Sequence, residues 1–164
     1  MSDKMWMVRA EVGGKRFSDF QTRSLVAIGW AAAGDPTALV TRAGFKAAIA
    51  GALPTASRGY MISSASQLYR FVREININDR VVAYGRAERC YMVGRITGGY
   101  KYDPSILSSS PNTRTVSWEG QVARDRLSSN TRMSLGSIQA LFVVPDRAVR
   151  ELLGFLSSQT SRAS

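Results

Sequence analysis

The 164 residues contain no histidine, one cysteine and only 12 acidic side chains. Each shortage excludes a class of chemistry. Without histidine the commonest general acid–base group is missing, and Cys90 alone builds neither a disulfide framework nor the usual zinc sets. Lacking a histidine base, Cys90 reads as a packing residue rather than a nucleophile. The acids are scattered singly. The nearest approach to a carboxylate pair, Glu119 and Asp125, reads as two surface acids balancing Arg124 and Arg126. No catalytic residue, metal or cofactor is therefore expected. Long apolar runs are missing too: residues 24–33 and 138–145 reach about half of the roughly 20 residues that a membrane helix needs. The first residues carry no apolar run of signal-peptide length, so a reducing cytoplasm without membrane attachment is expected. Gly13-Gly14-Lys15 and the Gly98-Gly99 to Lys101 stretch lack the spacing of a Walker loop or a dinucleotide fingerprint, and read as turns.

What the chain has in excess is arginine. Lys and Arg number 22, for a formal net charge of +10, and the sequence pI is about 10.5. A planar guanidinium forks onto phosphate oxygens and stacks on bases, so this balance favours a polyanionic, nucleic-acid partner. Hydrophobic residues make up 45%, enough for a single folded unit over residues 1–156, with 157–164 as a polar tail or the start of a linker.

Local patterns predict strands over residues 5–11, 25–30, 80–84, 89–97, 113–122 and 139–144, the third and fourth forming an antiparallel hairpin. Helices are predicted over 17–22, from a Thr41 cap to Leu53, from a Ser64 or Ser66 cap through Leu68, Phe71, Val72 and Ile75, and over 146–156. Residues 105–112 (SILSSSPN) read as a mobile loop beside Tyr100, Lys101 and Tyr102.

Taken together, MWMVRA (5–10), VAIGW (26–30), QLYRFVREININDRVVAYG (67–85), YMVGRITGGYKYDP (91–104), RTVSW (114–118) and TRMSLGSIQALF (131–142) resemble a known module. It is the N-terminal domain of bacterial Mrr-type restriction endonucleases, similar in layout to the EVE and YTH domains of the PUA superfamily. The resemblance covers about residues 5–145. It implies an α+β fold, a PUA-like curved β-barrel of five or six strands flanked by three to four helices. It also implies a pocket in which a modified base, flipped from double-stranded DNA, lies between aromatic walls, while a fused or partner nuclease domain does the cutting. Where relatives carry an asparagine before a helix, this sequence has Ser63-Ser64, whose hydroxyls donate or accept at a base edge.

The pocket candidates are Trp30, Tyr60, Ser63, Ser64, Trp118 and Trp6; for the tryptophans the competing assignment is core packing, and for the others a loop and helix cap. Arg58, Arg70, Arg73, Lys101, Arg126 and Arg132 are the candidates for phosphate contacts. Two other functions fit the same residues: an RNA-binding module, and a protein-interaction or regulatory domain whose charge is incidental.

Overall fold

The computed structural model describes residues 4–11 and 16–163, with the side chains of the last helix described as far as Ser157. The strands are β1 (Met5–Val8), β2 (Leu25–Ile28), β3 (Arg80–Gly85), β4 (Cys90–Ile96), β5 (Lys101–Tyr102), β6 (Asn112–Ala123) and β7 (Leu141–Val143). The helices are α1 (Phe17–Arg23), α2 (Arg42–Ala52), α3 (Arg58–Tyr69), α4 (Ser129–Ser134) and α5 (Asp146–Ala163). One sheet runs β2-β6-β4-β3-β1-β7, with β5 added on β6. β1 pairs with β3 in parallel, Trp6 opposite Val81, and the other pairings are antiparallel. Three strands separate β1 from β2 in this order, which in a flat sheet would hold them about 19 Å apart. Their Cα atoms nevertheless approach within 8 Å. The sheet is curled, and the expected α+β class holds. It has seven strands rather than five or six and five helices rather than three to four, because β5 and α4 are too short to show a periodicity in sequence.

Strand periodicity divides the central strands between two cores. Trp6 and Val8 of β1, Val81 and Ala83 of β3, and Met92 and Ile96 of β4 face one core, which Phe17, Phe20, Phe45, Ile49, Leu68 and Phe71 of the helices complete. The intervening Met5, Met7, Val82, Tyr91 and Val93 face the other, where Ala148 and Leu152 of α5 cover them. Burial on both faces explains why these segments read as continuous apolar runs. At the bulge between Val93 and Gly94 the strands approach so closely that a Cβ on Gly94 would stand 2.5 Å from the Ser117 carbonyl oxygen.

Two buried polar groups pin the layers together. Trp6 Nε1 donates to Asp79 Oδ2 at 2.9 Å, and the same oxygen accepts from the Asn76 amide. After α3 the chain continues as one wide π turn over Arg70–Glu74, closed by the Ile75 amide on the Arg70 carbonyl. The guanidinium of Arg114 reaches the Phe71 and Val72 carbonyls at 2.8 and 3.0 Å. Burial lowers its pKa to about 10, and a cation at a helix C-terminus satisfies oxygens that lack intrahelical donors.

Thr41 caps α2 as expected, its hydroxyl accepting from the Gly44 amide. The next helix begins earlier than expected. Ser57 caps α3, so Ser63 and Ser64 lie within the helix rather than before it. Its first two turns carry little apolar patterning because part of their surface faces a pocket instead of the core. The segment expected to be mobile is packed: Leu107 and Ser110 are buried, and the Asp103 amide donates to the Pro111 carbonyl. From residue 157 to Ala163 the expected polar tail is a continuation of α5, consistent with the small cost of propagating a helix already anchored at Leu152. The turn at Gly13-Gly14 lies outside the described residues. Among the described residues no helix is long and apolar enough to cross a membrane.

Candidate functional site

The curl leaves a cavity of about 560 Å³ where the end of β2, the middle of α3, the 105–112 loop and the segment before β7 meet. That size falls within the range of small-molecule sites. Trp30, Tyr60 and Ser63 all line it. Trp30 follows the last residue pair of β2 and adopts φ 61°, ψ 41°, the left-handed region that costs an ordinary residue roughly 1–2 kcal/mol. Its surroundings hold the corner in place: Asn112 Nδ2 donates to the Gly29 carbonyl at 2.7 Å, while Asn112 Oδ1 accepts from the Tyr100 hydroxyl. Burial pushes the Tyr100 hydroxyl to a higher pKa, so it remains a donor. The indole thus packs against the core with one part and lines the cavity with another.

Tyr60 stands 56% exposed and Ile138 84% exposed, and both line the cavity. Exposed apolar groups beside an opening are typical of binding rims. Below them, Gln67 Nε2 donates to Ser63 Oγ at 3.0 Å, and Gln67 Oε1 accepts from the Ala140 and Leu141 amides. Because Ser63 Oγ accepts from the amide, its own proton is left for donation to a ligand. Across the cavity, the Glu11 carboxylate accepts from the Ser109 and Ser110 hydroxyls at 2.7 Å each. Burial alone would raise the Glu11 pKa; those hydroxyls and the Arg16 guanidinium outweigh it and hold the carboxyl below its usual range. Arg9 lines the same cavity and donates to the Ile138 carbonyl. Apolar floor, hydroxyl donors and a carboxylate acceptor together suit a flat, heteroatom-rich ring.

The other pocket candidates lie elsewhere. Trp6 is fully buried in the core and bonded to Asp79. Trp118 packs over Gly94 and donates to the Phe20 carbonyl at 2.9 Å, lining a separate groove. Ser64, one helical step from Ser63, is buried and its hydroxyl has no hydrogen-bond partner among the described residues. Sequence reasoning missed Glu11, Gln67, Ser109 and Ser110, which are held at the cavity by contacts between residues 73 to 99 positions apart, for which no local pattern exists.

The phosphate candidates do not form one patch. Arg58 opens α3 close to Tyr60, and Arg70 borders a shallow hollow that shares Ser63 and Gln67 with the cavity. Arg70 is also paired with Glu74 at 3.3 Å. Arg73 is engaged internally, donating to the Thr37 and Leu39 carbonyls. Lys101 pairs with Asp103, and Arg126 lies over the Phe155 ring. Arg132 on α4 donates to Ser129 Oγ. Glu119 and Asp125 are engaged by arginines as expected, but by Arg80, Arg95 and Arg89 rather than Arg124 and Arg126. Cys90 is buried, which raises its pKa, and donates weakly to Gln121 Oε1. Among the described residues no three His, Cys, Asp or Glu side chains gather where they would hold a metal ion.

No curated protein matches the chain. Among solved structures it is similar to the crystal structure of protein Atu2648 from Agrobacterium tumefaciens, at 13% identity and a TM-score of 0.41, covering 90% of this chain and 89% of that one. A family model described as "Domain of unknown function (DUF8426)" matches residues 6–141, and the chain belongs to that family.

Proposed function

We propose that this member of the DUF8426 family is a nucleic-acid reader that accepts a base swung out of duplex DNA into the cavity beside Trp30. The observation that carries the reading is the left-handed corner at Trp30, which holds an aromatic ring at the wall of a cavity that also presents Ser63 and Glu11. Swinging a base out costs a few kcal/mol, and stacking on an aromatic returns roughly 1–3 kcal/mol. The net charge of +10 supplies the attraction to the strand. Within this reading the curled sheet is PUA-like, the preferred base carries a methyl or hydroxymethyl group, and Ala27, Ile28 and Ala140 are the apolar surface for it. The reading takes the protein to be cytoplasmic and to bind without cutting, any cleavage belonging to a fused or partner nuclease.

The test is direct binding to matched duplexes with and without one modified base, beside single-stranded RNA at the same salt. A preference of roughly 10–200-fold for the modified duplex is expected from a group-sized apolar contact. Equal affinity for all duplexes rejects modified-base reading, and RNA outbinding every duplex reassigns the cavity to an RNA base.

A further inference from the structure

A second concavity, of about 470 Å³, lies between the β3–β4 hairpin and α4 and is lined by Arg86, Arg89, Arg124 and Arg132 around Tyr84 and Tyr91. We propose that this hollow is a phosphate site, taking the backbone of the nucleic-acid strand beside the swung-out base; it rests on the base-reading function. Four guanidinium groups around one hollow repel one another, and the Asp125 carboxylate offsets one of the four charges, leaving the hollow net positive. Asp125 is committed to Arg89 at 2.6 Å, and Glu88 stands against Gly85 without lining the hollow. Arg132 is bonded to the Ser129 hydroxyl, a neutral partner that orients its guanidinium without discharging it. The Tyr84 and Tyr91 rings, 4.6 Å apart, back the hollow, Tyr91 buried in the core beneath the partly exposed Tyr84.

Position ties this hollow to the base cavity. A groove joins them: Arg9 and Ile138 line both the cavity and the groove, and Tyr84 and Arg86 line both the groove and the hollow. A strand whose base enters beside Trp30 therefore has a continuous path to the arginines. Only Arg132 among them is a phosphate candidate in the sequence. The hairpin turn brings Arg86 and Arg89 to face Arg124 at the end of β6.

The experiment compares wild type with an Arg86→Gln/Arg132→Gln variant and an Arg86→Lys/Arg132→Lys variant, none of which alters the base cavity. Binding of a fluorescent duplex with one methylated base, of the plain duplex and of single-stranded RNA is titrated over a range of salt. The glutamine variant is expected to lower the slope of log K against log salt by about 2 on each ligand that wild type binds. The lysine variant restores it, and melting temperature shows that all three are folded. An unchanged slope in a folded glutamine variant overturns the phosphate site. The reduced slope with no preference for the methylated duplex overturns base reading and leaves the hollow standing. A wild type that binds none of the three ligands overturns both.

Discussion

Trp6 and Trp30 both sit at the inner face of the curled sheet, yet their surroundings differ in kind. Around Trp6 the ladder is regular, β1 pairs on both sides, and the indole is fully buried with its N–H on Asp79. Around Trp30 the ladder has just ended, the backbone has turned left-handed, and the ring is half-buried against a cavity. A polar atom in the first region completes a pair that fixes the packing. In the second, Ser63 keeps a proton and the cavity remains open to a ligand. The cavity is found where strand pairing stops, since the ladder there no longer claims the backbone and the side chains of one layer no longer meet those of another.

Three changes break or sharpen that contrast. The largest effect is expected from Trp6→Ala, which empties a core site and removes the donor to buried Asp79. Chemical denaturation should show a loss of roughly 3–5 kcal/mol, with every kind of nucleic-acid binding weakened together. A loss near zero would mean that Trp6 does not belong to the rigid region at all.

Replacing Trp30 separates ring from backbone. Trp30→Ala should lose most discrimination between modified and plain duplexes, about 1–3 kcal/mol of binding, while the salt slope remains that of wild type. Trp30→Gly should lose the same discrimination but unfold at a higher temperature than Trp30→Ala, because glycine adopts the left-handed corner without the penalty alanine meets. Equal stabilities would show that the corner is not strained. Retained discrimination in either variant would remove the indole from the cavity.

The smallest effect concerns pH. The Glu11 carboxyl is held below its ordinary value of 4.5 by the Ser109 and Ser110 hydroxyls and by Arg16, acting against burial. A carboxyl whose pKa is lower in the folded state contributes stability above its unfolded value, and that contribution disappears as pH falls through the folded value. The melting temperature of wild type should therefore decline more steeply below pH 4.5 than that of Glu11→Gln, while both behave alike near neutrality. Parallel acid limbs would show that the network contributes nothing to the fold.

Much of the architecture is legible in local pattern. The Thr41 cap, the β3–β4 hairpin, the β6 alternation of exposed Thr115, Ser117, Glu119 and Gln121 with the more buried Val116, Trp118 and Val122, and the start of α5 follow from periodicity and capping alone. The start of α3 is not legible, because a helix that turns polar residues toward a cavity loses the stripe that marks it. Nor is the packing of residues 105–112, whose serines look mobile until Glu11 is placed beside them.

For the candidate site the division follows the range of the forces. Composition and short-range periodicity suffice for a basic chain of mixed strands and helices without histidine chemistry, whereas Trp30, Tyr60 and Ser63 are pocket candidates only through the family resemblance. Whether those three meet depends on closure of the curl, which brings β2, α3, the serine loop and the edge of β7 together. The same closure sends Trp6 and Ser64 inward and Trp118 to another groove, and gathers Arg86, Arg89, Arg124 and Arg132 around one hollow. These outcomes depend on contacts between distant parts of the chain, and for the strand residues Trp6 and Trp118 side-chain direction is set by sheet register and bulge position, so a shift of one residue would turn each to the opposite face.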